Sequence, residues 1–198
     1  MSKVTEIETR GGRRAELVAA AARLFSERGY HGTSMRDLGN ALGLLRGSLY
    51  AHIGAKEELL FDVVDEGAER FLARAEEAAA GPGPAAERLE RFLAGHVETA
   101  IEHLDAATVF LNEWRYLSAE PRAVIQAKRD RYEALLRDII EAGKASGQFR
   151  AGADIRFAVL LVLSAGNWVY EWYRPDGDLG PAEIGERFAD LIVGGLRA

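Results

Sequence analysis

The sequence contains no cysteine. That absence excludes disulfides, zinc–thiolate sites, iron–sulfur clusters and thiol nucleophiles, so redox chemistry on the protein is not expected. Long apolar runs are missing too. The longest, Phe157 to Ala165, includes Ser164 and falls far short of the roughly 20 residues a membrane span needs. The residues after Met1 (Ser2, Lys3, Thr5, Glu6, Glu8, Arg10) are polar, unlike a secretory leader, and a cytoplasmic protein is expected. Catalytic signatures are equally scarce. His31, His52, His96 and His103 lack metal-ligand spacing, although His96 and His103 share a helix face. There is no G-x-S-x-G, phosphate loop or dinucleotide fingerprint, and the GPGP at 81–84 has no Lys-Ser/Thr pair after it. Neither an enzyme, nor a metal site, nor a cofactor is expected.

The charge is unevenly spread. The net charge is -6, yet residues 1–56 hold nine Lys/Arg against five Asp/Glu, while the remainder holds sixteen against twenty-six. A basic head on an acidic body is the pattern of a protein that presents one end to phosphate.

Apolar residues recur at three and four rather than at two, so an all-α chain is expected, with ample length to bury a core. Leu17, Ala20, Ala21, Leu24 and Phe25 form one stripe of a helix over 13–28, which Gly29 stops. Thr33 or Ser34 caps a short helix with Met35, Leu38 and Leu42, ended by Gly43. A third, closed by Gly54, turns Leu49 and Ile53 inward. Two short helices joined at a glycine and braced by a longer one form a helix-turn-helix. A connecting helix over 55–80 then runs to Gly81–Pro84, and further helices are expected from Leu89 to Leu104 and over 105–118, 121–146, 154–173 and 181–196. Pro121 and Pro181 suit first-turn positions, where the missing amide proton costs nothing.

A recognition helix must offer small or polar residues to the major groove. Arg46 can donate to guanine or phosphate, Gly47 lets the backbone approach, and Ser48, Tyr50 and His52 can hydrogen-bond phosphate oxygens. Thr33 and Lys56 open the helices on either side, whose amide-rich N-termini suit anions. The stretch TSMRDLGNALGLLRGSLYAHIGAKEELL (33–60), preceded by LFSERGYHGTS, resembles the N-terminal domain of the TetR family of transcriptional repressors. The resemblance implies a two-domain protomer of about nine helices. Residues 1–54 would bind DNA, with 1–12 as a flexible basic arm, and 55–198 would bind effector and dimerise. It also implies a homodimer on a palindromic, double-stranded operator. Leu45 departs from the family pattern, which places Ser or Thr there as the cap of the recognition helix; losing such a cap costs about 1 kcal/mol.

The second domain is rich in aromatics, and FLNEWRYLS (110–118) and GNWVYEWYRPDG (166–177) are similar to TetR-type repressors of fatty-acid and sterol-ring breakdown, whose ligands are acyl-CoA thioesters. That similarity implies an acyl tunnel lined by Phe110, Trp114, Asn167, Trp168 and Trp172. Arg115 and Arg129, with Arg122, Lys128 and Arg131, would supply positive charge at its mouth for the CoA phosphates. Asn167 sits in an apolar helix, where a buried amide needs a partner. Efflux or stress repressors that sense a planar, drug-like hydrophobic ligand are the other implied class. Dimerisation is expected to use the last two helices: Ile184, Phe188, Leu191, Ile192 and Leu196 make a stripe on the final one wide enough to need a partner, the first four being the expected interface, and the preceding helix is apolar over most of its circumference.

Overall fold

The computed structural model describes residues 3–44 and 53–198, with side chains from Gly12 onward. The described residues are helical and carry a single isolated antiparallel bridge, Phe149 to Arg197. The elements are α1 (Lys3–Gly32), α2 (Met35–Ala41), α3 (Lys56–Ala80), α4 (Ala85–Glu102), α5 (Leu104–Asn112), a 3-10 turn (Trp114–Tyr116), α6 (Ala119–Ala145), α7 (Ile155–Asn167), α8 (Val169–Trp172) and α9 (Pro181–Leu196). No described helix is long and apolar enough to cross a membrane.

Helix α1 starts at Lys3, so the segment expected as a flexible arm is helical. Gly11 and Gly12 lower helix propensity by about 1 kcal/mol each but keep their amide donors, so the ladder continues through them. Gly29 does break it: its φ of 74° and ψ of 161° suit glycine alone, and only Tyr30 to Gly32 continue as helix beyond. Ser34, rather than Thr33, caps α2. Its hydroxyl accepts from the Asp37 amide while the Asp37 carboxylate accepts from the Ser34 amide, a reciprocal capping box.

Two expected helices end early. The one over 105–118 becomes α5 and the 3-10 turn, and the one over 154–173 becomes α7 and α8 on either side of Trp168. Both changes serve packing. The second break lets Val169 bury beside Val97, Ile101 and Ile184, and lets the Tyr170 hydroxyl pair with Asn112 at 3.0 Å. Pro181 starts α9 and Pro121 is the third residue of α6, so both occupy first-turn positions, as expected.

Leu17, Phe25 and Leu38 pack with Leu59, Leu60 and Val64 of α3 and with Val109 of α5 in one continuous core. Helix α3 therefore belongs to both ends of the molecule. A second core joins α4, α6, α7 and α9 around Leu93, Leu136, Ile140 and Val193.

A cavity beside a two-carbonyl corner

A cavity of about 250 Å³ opens among α3 to α7. Its wall includes Ala68 and Phe71 of α3, His96 of α4, Phe110 and Leu111 of α5, Trp114 of the 3-10 turn, Arg129 and Tyr132 of α6, and Leu163 and Asn167 of α7. At the roughly 30 Å³ that a water occupies in the liquid, it has room for about eight non-hydrogen atoms.

Four of the residues expected to hold a ligand meet here: Phe110, Trp114, Arg129 and Asn167. Arg129 stacks its guanidinium between two rings, 5.1 Å from the Phe110 centroid and 4.8 Å from that of Trp114. Burial lowers its pKa from the ordinary value, with Asp130 opposing and Arg115 adding to the effect. Among the described residues no carboxylate comes within ion-pair distance of Arg129. Its neighbours are already committed, Lys128 to Asp65 at 2.5 Å and to Glu69, and Arg131 to Glu76 at 3.6 Å.

Three expected residues are elsewhere. Arg115 is exposed, because the 3-10 turn that sends Trp114 inward sends its successor out. Trp168 is 60 % exposed, since α7 ends just before it. Trp172 is turned to Phe188, ring edge to face at 6.3 Å.

The cavity also holds a pair that sequence reasoning passed over. His96 Nδ1 and the Tyr132 hydroxyl share a hydrogen bond of 2.6 Å. His96 is buried against Phe71, with ring centroids 5.0 Å apart. Burial lowers its pKa from 6.5 to about 4, against a weaker opposing effect of the Gly166 backbone, so the imidazole is neutral. Burial likewise pushes the Tyr132 phenol well above 10.0. The available signal was His96 itself, the one polar member of the apolar stripe Leu89, Phe92, Leu93, Val97 and Ala100.

At the other end of α3, Lys56 donates to the carbonyls of Tyr30 at 2.7 Å and Thr33 at 2.8 Å, with its ammonium 4.1 Å from the Tyr30 ring centroid. These oxygens end α1, where a cation is favoured. Thr33 is 1 % exposed and its hydroxyl is directed back to the carbonyls of Leu24 at 3.1 Å and Gly29 at 3.0 Å. Thr33, expected to face phosphate, faces the core instead. Lys56, also assigned to phosphate, is half-buried with its charge committed to α1. Arg46, Gly47, Ser48, Tyr50 and His52, together with Leu45 and the third short helix, lie outside the described residues.

Residues 17–63 match the family described as bacterial regulatory proteins, tetR family, and residues 82–196 match the Tetracyclin repressor-like C-terminal domain. The chain belongs to the TetR family. This TetR-family protein is therefore a DNA-binding regulator of transcription with the two-part helical architecture expected from its sequence. It is 28 % identical over 186 residues to the HTH-type transcriptional repressor KstR2 of Mycobacterium tuberculosis, covering 93 % of this chain and 92 % of the relative. Among solved structures it is similar to the regulator PfmR of Thermus thermophilus, at 37 % identity and a TM-score of 0.84, covering 92 % and 99 % of the two chains. It is also similar to AibR in complex with isovaleryl coenzyme A and operator DNA, at 29 % identity and a TM-score of 0.81, covering 93 % and 98 %.

In this TetR-family protein the cavity wall is bonded directly to the DNA-binding end. Beyond the Gly29 break the Tyr30 amide donates to Glu113 Oε2 at 2.9 Å, and Ser26 donates to Asp105 at 2.6 Å. Tyr116 stacks on Tyr30 at 6.2 Å and meets His31 edge-on at 4.5 Å. Asp105, Glu113 and Tyr116 share α5 and the 3-10 turn with the cavity residues Phe110, Leu111 and Trp114.

The stripe expected for dimerisation divides. Ile184 packs inside with Val97, and Ile192 packs inside with Val193, so both belong to the chain's own core. Phe188 is half-buried against Trp172, and Leu191 is 73 % exposed. The periodicity located the stripe but not its orientation: α9 buries on α4 the side that carries Ile184 and Ile192. On the preceding helix, also expected to take part in dimerisation, Phe157, Leu160 and Leu161 of α7 are exposed at helical spacing, with Trp168 just beyond.

Proposed function

We propose that this regulator represses genes of acyl-CoA metabolism and leaves its operator when an acyl-CoA fills the cavity. The carrying observation is Arg129, a half-buried cation without a carboxylate partner among the described residues, stacked on two rings of the cavity wall. That arrangement suits a ligand that is apolar in part and anionic in part. The acyl portion gains about 0.8 kcal/mol for each buried methylene, and Arg129 offers charge to the CoA phosphates. The likeness to AibR, whose structure was solved with isovaleryl coenzyme A, supports the same ligand class.

Filling the cavity would press on Phe110 and Trp114. The same two elements hold α1 through Asp105, Glu113 and Tyr116, so their displacement would turn the N-terminal helices. In a homodimer on a palindromic operator, this changes the separation of two recognition helices from the roughly 34 Å between successive major grooves. The exposed faces of α7 and α9, carrying Phe157, Leu160, Leu161, Trp168 and Leu191, are the proposed interface, in place of Ile184 and Ile192.

The test is fluorescence anisotropy of the protein on DNA from upstream of its own gene, titrated with acyl-CoAs of increasing length. Release at micromolar concentrations of a short acyl-CoA supports the proposal. DNA binding unaffected by any length removes it. Leu161→Glu is expected to give a monomer in sedimentation; a dimer unchanged by that charge would remove the proposed interface.

A further inference from the structure

The cavity has an open side and a closed one. Gln126 and Asp130 of α6, which border it, are exposed, whereas Ala68 and Phe71 of α3 and His96 of α4 are buried. The closed side is a floor of rings. Phe71 stacks on Phe110 with centroids 5.5 Å apart, lies 5.0 Å from His96 and meets Tyr132 edge to face at 6.3 Å.

The rings are also held from behind. Tyr132 is tied to His96 by their hydrogen bond of 2.6 Å and backed by Phe92, with centroids 4.9 Å apart. The Gly166 backbone stands so close to His96 that a Cβ in its place would overlap the imidazole. Close-packed interiors have low compressibility, so rings locked in this way do not draw back to admit a longer ligand.

We infer that this floor sets an upper limit on the effector's acyl group, at about six to eight carbons for a straight chain. The inference rests on the acyl-CoA reading, which places the thioester at the open side with Arg129 and the chain end toward Phe71. The volume of about 250 Å³ holds about eight non-hydrogen atoms, so straight or singly branched short chains fit and a fused-ring acyl group does not. Each methylene that enters raises affinity about fourfold. Once the terminal methyl meets the floor, a further methylene has to stay at the open side, in water, and gains nothing. Ala68 and Phe71, one turn apart on α3, are the residues whose size fixes the depth.

The experiment is calorimetry of the full-length protein with butyryl-, hexanoyl-, octanoyl-, decanoyl- and dodecanoyl-CoA. Affinity is expected to rise about fourfold per methylene as far as hexanoyl- or octanoyl-CoA and then to stop rising, so that dodecanoyl-CoA binds no tighter than octanoyl-CoA. Two variants should move the break in opposite directions. Ala68→Leu fills the space of about three non-hydrogen atoms and is expected to bring it down to about butyryl-CoA. Phe71→Ala takes the ring out of the floor, and the rise should then continue through decanoyl-CoA. Because Ala68→Leu adds carbon to open space and deletes no contact, the test stands even where Phe71→Ala does not fold. A rise that continues to dodecanoyl-CoA in the wild type, or a break that a folded variant leaves in place, overturns the inference while acyl-CoA sensing stands. Failure of every thioester in the series to bind overturns both.

Discussion

His96 makes a quantitative prediction about acid stability. Its imidazole is enclosed by Phe71, Tyr132 and Gly166, and burial lowers its pKa from 6.5 to about 4. In the unfolded chain the same group titrates near 6.5. Because the folded value lies below the unfolded one, the proton prefers the unfolded chain: the stabilisation is intact above about pH 6.5 and drains away as the pH falls toward 4. At 1.36 kcal/mol per unit the full loss approaches about 3 kcal/mol, and about 2 kcal/mol of it is gone by about pH 5, before most carboxylates protonate. The assay is urea denaturation of the wild type and His96→Gln at about pH 7.5 and about pH 5. Contributions from other groups are common to both proteins and cancel in the comparison. Between the two conditions the wild type should lose about 2 kcal/mol more than the glutamine variant, which has nothing to protonate. Parallel losses, within about 0.5 kcal/mol, would refute a neutral, desolvated His96.

Three further outcomes follow from the same contacts. Lys56→Met removes the donors to the Tyr30 and Thr33 carbonyls and should cost roughly 1–2 kcal/mol, read as a lower melting temperature without DNA present. An unchanged melting temperature would return Lys56 to the phosphate-binding role read from the sequence. Gly166→Ala drives a methyl group into His96 and should destabilise by about 1–3 kcal/mol in urea titrations, against a near-neutral effect if α7 can slide away. Glu113→Ala deletes the acceptor for the Tyr30 amide. Acyl-CoA affinity should stay within about twofold while the effector-driven loss of DNA affinity shrinks about fivefold or more, within the usual range of coupling energies; an unaltered response in anisotropy would place the coupling elsewhere.

Much of the architecture was legible because its causes are local. The break at Gly29 needs a positive φ, the linker Gly81–Pro84 cannot continue a helix, and Pro181 fits a first turn. Each can be read within a few residues. Phe110, Trp114 and Asn167 come from two short motifs and Arg129 from a basic cluster between them, and the fold brings all four to one cavity wall. Trp168 and Trp172 were lost from that set because α7 stops at Asn167, a break chosen by Val169 packing on α4 and α9 rather than by any local breaker.

The sequence by itself determined an all-helical chain with a TetR-type helix-turn-helix at its basic end, since period, caps and charge depend on residues close along the chain. Only the tertiary structure decided which sides of those helices are covered. It turned Thr33 and Lys56 to the end of α1, buried Ile184 and Ile192 while leaving Phe157 and Leu191 outside, and brought His96 to Tyr132 across 36 residues of chain. Helical spacing states which residues share a face. What that face meets depends on how distant segments pack, and burial and hydrogen-bond partners follow from that packing.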